Sequence, residues 1–111
     1  MILRVDHVGI AVNSLDDRLR FWHDALGLDL GGTETVATEG VRVAFLPVGQ
    51  SRLELLEATH PGSPIAKFVE KRGEGIHHIT LQVEAIQPVL DRLKSKGVQL
   101  LDDAPRPGAS G

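Results

Sequence analysis

Two histidines occupy matching places in two near-copies of one segment: His7 in VDHVGIAV (residues 5–12) and His78 in IHHITLQV (residues 76–83), 78 − 7 = 71 positions apart. A single histidine in a strand is usually a satisfied hydrogen-bond partner. A pair at equivalent points of a repeat points instead to two imidazoles meeting at one place. Because side chains alternate along a strand, His7 shares its side with Gly9 and Ala11, and His78 shares its side with Thr80 and Gln82. Small or polar neighbours suit the lining of a cup better than a tightly packed core. Glu54, flanked by Leu53 and Leu55, points opposite to them, where a carboxylate facing the same cup would lie. Two imidazoles and a carboxylate form a borderline-hard donor set. It suits cobalt, manganese, nickel, zinc or iron(II), with positions open to a bidentate oxygen substrate. Since the chain has no cysteine, a metal here depends on His, Glu, Asp or Gln.

Structural roles compete with each of these assignments. LELLE around Glu54 also fits an edge strand with solvated glutamates. His77 is expected on the apolar side of its strand, and His23 and His60 at the surface. Trp22 and Phe21 read as helix packing. Lys67, Lys71 and Arg72 read as a solvated helix face that could also contact phosphates.

The elements that must position these residues repeat as well. After the first strand, Ser14 and Asp17 form a helix-start signal, and Leu15, Leu19, Trp22 and Leu26 recur at helical spacing until Gly27. After the second, Ile86, Val89, Leu90 and Leu93 form the stripe, Pro88 lies in the first turn and Gly97 ends the run. GLDL (27–30) and GVQL (97–100) then match as following strands. The first unit continues with strands over 41–49 and 51–58, giving β-α-β-β-β. Between the units, Ser63 as N-cap, Pro64 at the first helical position and Gly73 as stop predict a short helix with Ile65, Phe68 and Val69 on one side. The second unit reaches DDAPRPGASG where its last hairpin is expected to begin. The expectation is therefore one α+β domain over residues 1–111, with modules 1–58 and 76–111 around a linker at 59–75, the second truncated at its C-terminal strands.

A length of 111 residues is one domain's worth of chain. Apolar residues at 41% and charged residues at 24% suggest neither a disordered nor a membrane-spanning class. A net charge of −3 without a basic stripe argues against nucleic acid as the main partner. MILRVD runs directly into a strand pattern with no secretory signature, so a cytoplasmic protein is expected.

VDHVGIAV, FWHDALGL, GSPIAKFVEKRGEGIHHITLQV and LKSKGVQLLDDAPRPGASG together resemble the methylmalonyl-CoA epimerases of the vicinal oxygen chelate superfamily, which also holds glyoxalases, bleomycin resistance proteins and dioxygenases. The likeness covers essentially the whole chain, including a P-x-x-G-x-x-G-like loop at PRPGASG. It implies paired β-α-β-β-β modules forming a curved mixed sheet around a divalent metal, cobalt(II) foremost and manganese, nickel or zinc as alternatives, in a homodimer. His7 and His78 match the first-strand ligand positions, and Glu54 matches a fourth-strand position where relatives carry glutamine or glutamate. A further glutamate ligand would follow Gly111. The chemistry implied is interconversion of (R)- and (S)-methylmalonyl-CoA by proton removal and return at carbon 2, through a metal-stabilised enolate. Two proton carriers are then required. The resemblance assigns one to that C-terminal glutamate and the other to a third-strand position that is Val43 here, with Glu39 nearby in sequence. Other members of the superfamily supply the rival expectations: a glyoxalase-type lyase or isomerase acting on a glutathione adduct, a ring-cleaving dioxygenase, or a non-enzymatic small-molecule-binding protein.

Overall fold

The computed structural model describes residues 1–100. The PRPGASG loop and the end of the second module lie outside the described residues. Strand β1 (Ile2–Val12) leads into helix α1 (Leu15–Leu19), a π-helical segment (Arg20–Ala25), β2 (Thr33–Val36), β3 (Val41–Val48) and β4 (Ser51–Ala58). Helix α2 (Pro64–Arg72), β5 (Gly75–Val83) and α3 (Ile86–Ser95) follow. The strands form one mixed sheet in the order β2-β3-β4-β1-β5, and the β-α-β-β-β plan of the first module is realised. β3 runs antiparallel to β2 and to β4, while β1 runs parallel to β4 in the register Gly9 to Glu54 and Ala11 to Leu56. Among the described residues no helix is long and apolar enough to cross a membrane.

The described residues gather into two units, one over Val5–Thr80 and the other joining Met1–Arg4 to residues 81–100. Within the smaller unit, the Glu84 N–H donates to the Met1 carbonyl at 2.9 Å, and the Arg4 Nε donates to Gln82 Oε1. In the larger unit, the period-2 pattern of the strands sorts apolar side chains onto two faces. On one face Val12, Ala44, Leu46 and Leu55 are buried against Leu15 of α1, with Leu19, Trp22 and Leu28 packed around them. On the other, Ala11, Val41, Val43 and Leu56 are buried against Ile65 of α2, joined by Phe68 and Val69.

Helix starts follow their caps. Ser14 Oγ accepts from the Asp17 N–H at 3.2 Å, and Glu57 Oε1 accepts from the Leu15 N–H at 2.9 Å, tying the first turn to β4. Ser63 Oγ accepts from the Ala66 N–H at 3.2 Å, with Pro64 opening α2 as expected.

Three expectations change. The helix expected to run from Ser14 to Gly27 widens into a π-helical turn after Leu19, closed by the Leu26 N–H on the Phe21 carbonyl at 2.8 Å. Trp22 keeps its place on the apolar stripe and packs on the core, Phe21 is 52% exposed, and the extra residue carries Leu26, expected on the stripe, to the outside. GLDL does not form a strand: the Leu28 N–H closes the helix on the Trp22 carbonyl and its side chain packs on the core, so pairing with β3 begins only at Gly31. The face carrying His7 is a cup only in part, because α2 seals its Ala11 and Leu56 end into a second hydrophobic core.

Candidate functional site

At the other end of that face, inside the larger unit, the strand registers bring the chemistry-bearing residues together. β1 sets His7 opposite Arg52 and Gly9 opposite Glu54, and β3 sets Phe45 on the far side of Glu54. β5, next to β1, carries His78 over Gly9: a Cβ built on that glycine would lie 2.3 Å from the imidazole Cε1 and 2.7 Å from Nε2. The bare backbone of Gly9 is therefore the floor of the site. β5 is anchored at its start by Glu74, whose carboxylate accepts from the Asn13 N–H at 2.7 Å and pairs with Arg18 at 2.7 Å. These contacts, the backbone hydrogen bond first, hold the Glu74 carboxyl below its usual range.

The two imidazoles meet as expected. His7 Nε2 lies 3.0 Å from His78 Nε2, with the rings edge to face, and Thr80 Oγ1 is 3.1 Å from the same His7 nitrogen. Glu54, only 3% exposed, is brought to the pair but not between them. Its Oε2 accepts from Arg52 Nε at 2.7 Å and sits 3.3 Å from His7 Nδ1, the opposite nitrogen of the ring. Asp6 Oδ2 is 2.8 Å from that same Nδ1 and 3.4 Å from an Arg52 Nη. Arg52 in turn rests over the Phe45 ring, 5.7 Å from its centroid.

His77 is exposed and not turned into an apolar layer; its Nδ1 is 2.8 Å from His78 Nδ1, and its ring meets Phe68 of α2. Burial first, then the neighbouring His7 and His77, holds the His78 pKa below the usual histidine value. The ring thus stays neutral, the form that can donate a lone pair, to lower pH than a free imidazole does.

These residues fit a divalent cation. At a metal–nitrogen length of about 2.0–2.1 Å, two ligand nitrogens 3.0 Å apart subtend roughly 95°, a cis pair in an octahedral or distorted tetrahedral shell. The two Nε2 atoms meet beside Gly9, and the contacts of Arg52 Nε and His7 Nδ1 go to Oε2 of Glu54. Among the described residues no group of three His, Asp or Glu side chains is already arranged to hold a metal ion. Glu54 completes such a group only by presenting its other oxygen, Oε1.

Other candidate positions fall elsewhere. Lys67, Lys71 and Arg72 are exposed on α2, with Arg72 over the Phe68 ring at 5.9 Å. Val43 is 1% exposed inside the α2-side core, an apolar position with no proton to offer, and Glu39 is exposed in a 3-10 turn. Asp6 and Arg52 escaped the sequence reading. The available signals were a carboxylate adjacent to the first histidine and a cation two residues before Glu54 on the same side of β4.

Gly9→Ala isolates the role of the floor, because the residue lies in a strand and carries no left-handed backbone. The added methyl has to displace the His78 ring. Cobalt(II) affinity is expected to fall about tenfold or more, with the circular dichroism of the metal-free protein unchanged; unaltered affinity would show that the ring does not sit there.

The chain matches the family model described as Glyoxalase/Bleomycin resistance protein/Dioxygenase superfamily over residues 6–111. It is similar to the uncharacterized protein YqjC of Bacillus subtilis, 43% identical over 97% of this chain and 77% of the relative. It is also similar to the ethylmalonyl-CoA/methylmalonyl-CoA epimerase of Cereibacter sphaeroides, 40% identical over 100% of this chain and 84% of that protein. Among solved structures, a methylmalonyl-CoA epimerase in complex with methylmalonyl-CoA and NH4+ superposes with a TM-score of 0.91 at 36% identity, covering 100% of this chain and 81% of that one.

Proposed function

We propose, from the premise that the chain belongs to the glyoxalase/bleomycin resistance protein/dioxygenase superfamily, that it is an isomerase that epimerises methylmalonyl-CoA at carbon 2. The observation that carries this proposal is the meeting of His7 Nε2 and His78 Nε2 at 3.0 Å over the floor of Gly9, in a chain related to such epimerases. His7 and His78 would hold a divalent metal, cobalt(II) foremost, through these nitrogens, with Glu54 as the carboxylate ligand. Such an ion would supply Lewis-acid polarisation of the substrate oxygens it binds.

The chain's own residues supply positioning. Thr80 places a hydroxyl beside the histidine pair, and the buried end of the sheet face, from Ala11 to Leu56, excludes water behind it. Val43 contributes shape and no proton transfer. Lys67, Lys71 and Arg72 are proposed to meet the coenzyme A phosphates, since they form a basic, exposed run on α2, the helix whose Phe68 meets His77 edge to face. A homodimer in the cytoplasm belongs to the same proposal, on the strength of the family resemblance.

The test is exchange of the carbon 2 proton of methylmalonyl-CoA for deuterium in heavy water, followed by NMR with the cobalt-loaded and the chelator-treated protein. Metal-dependent exchange well above the uncatalysed rate is expected. Metal-loaded protein that leaves the proton in place would overturn the epimerase assignment and direct attention to thiol adducts of glutathione.

A further inference from the structure

The hydrogen-bond partners of the histidine pair differ at their two nitrogens, and the difference has a consequence for how a cation enters. His7 Nδ1 faces two carboxylates, Asp6 at 2.8 Å and Glu54 at 3.3 Å. A carboxylate accepts from a ring N–H, so this pairing favours the Nδ1–H tautomer of His7. Nε2 is then left with its lone pair, which the Thr80 hydroxyl can donate to at 3.1 Å. Two imidazole nitrogens 3.0 Å apart cannot face each other lone pair to lone pair. With His7 Nε2 as the acceptor, a proton between them belongs to His78 Nε2. By the same logic His78 Nδ1 presents a lone pair to His77 Nδ1 at 2.8 Å, and His77 donates.

We propose that Asp6 is a positioning residue that fixes His7 in its Nδ1–H tautomer as a pre-set metal ligand, and that His78, paired with His77, must exchange its Nε2 proton for an Nδ1 proton when a cation binds. Arg52 supports this arrangement: bonded to Glu54 at 2.7 Å and to Asp6 at 3.4 Å, it offsets the repulsion between two carboxylates crowded at one N–H. Once a cation takes His78 Nε2, the proton that leaves this nitrogen passes to solvent, the Nδ1 proton donated by His77 moves onto His78 Nδ1, and His77 takes up a proton at its Nε2, leaving its Nδ1 as the acceptor. The second half of the proposal rests on the metal-site assignment above; the first half concerns the metal-free protein alone.

Two-bond 15N–1H NMR of the imidazoles, recorded at a pH where all are neutral, separates the two halves. In metal-free wild type His7 is expected as the Nδ1–H tautomer and His78 as Nε2–H. Asp6→Ala is expected to shift His7 toward a tautomer mixture, with Asp6→Asn, whose amide oxygen still accepts, restoring most of the Nδ1–H form. Zinc(II), a diamagnetic probe, is expected to convert His78 to Nδ1–H and leave His7 unchanged, and its affinity should fall about 10- to 100-fold in Asp6→Ala. Finding His7 as Nε2–H in metal-free wild type, or unaltered in Asp6→Ala, would overturn the role of Asp6. A His78 tautomer that persists in the zinc-bound state would overturn the switch. Failure of zinc to perturb any histidine would count against the metal-site assignment and the switch together, while the metal-free spectra would still decide the role of Asp6.

Discussion

Replacing His78 with alanine is expected to abolish turnover and weaken cobalt(II) binding by at least about 100-fold, more than the loss of a residue that merely supports a ligand, while leaving a folded protein. The imidazole supplies one of the two nitrogens that meet over Gly9. The backbone has little reason to notice, since the ring is partly exposed and alanine continues the strand. The pH dependence of stability gives the same expectation a second check. His78 has a folded pKa below 6.5, so the unfolded chain binds its proton first, and wild-type stability from this group is present above that value and declines as pH falls through the folded pKa. His78→Ala lacks that decline, so the variant's thermal midpoint, relative to wild type, should improve on acidification in metal-free buffer. His7→Ala is expected to match it in metal binding. Cobalt titration by absorption spectroscopy, beside circular dichroism, decides the matter. A His78 variant that keeps its cobalt affinity within a few-fold would remove that residue from the ligand set.

Leu55→Ala should cost the fold about 2–5 kcal/mol. The side chain is 0% exposed on β4, the central strand of the sheet, and lies on the rung between Ile10 and Ala44. It packs with Val12, Leu15 and Leu46, so it joins the sheet to the first turn of α1. Removing it leaves a cavity between elements that are each pinned, α1 by the Ser14 and Glu57 caps and β4 by two neighbouring strands, so collapse cannot refill the space. Urea denaturation of the metal-free protein measures the loss directly. A change below about 1 kcal/mol would mean that the helix is not seated on that face. Its neighbour Glu54 points the other way, so the variant should keep metal affinity wherever it remains folded.

Much of this architecture was legible before any coordinates. Alternation along β1 and β4 placed His7, Gly9, Ala11 and Glu54 on one side, because successive side chains of a strand must point oppositely whatever the neighbours are. The repeat of VDHVGIAV in IHHITLQV marked His7 and His78 as a pair, and Ser63, Pro64 and Gly73 marked α2 by capping chemistry that acts within one turn. What failed were judgements that depend on contacts across the chain. GLDL reads as a strand until Leu28 is seen packing back on the helix, and Leu26 reads as part of the apolar stripe until the π-turn carries it outward.

The sequence by itself therefore determined the β-α-β-β-β order, the two faces of its strands and the histidines that share one of them, since each follows from covalent periodicity and local capping. Only the tertiary structure decided that α2 seals one end of that face, that His78 lies in the space Gly9 leaves open, and that Asp6, Glu54 and Arg52 gather at His7 Nδ1 while its Nε2 turns to His78. Those outcomes depend on strand register and rotamers chosen among neighbours far apart in the chain, and no short-range pattern encodes them.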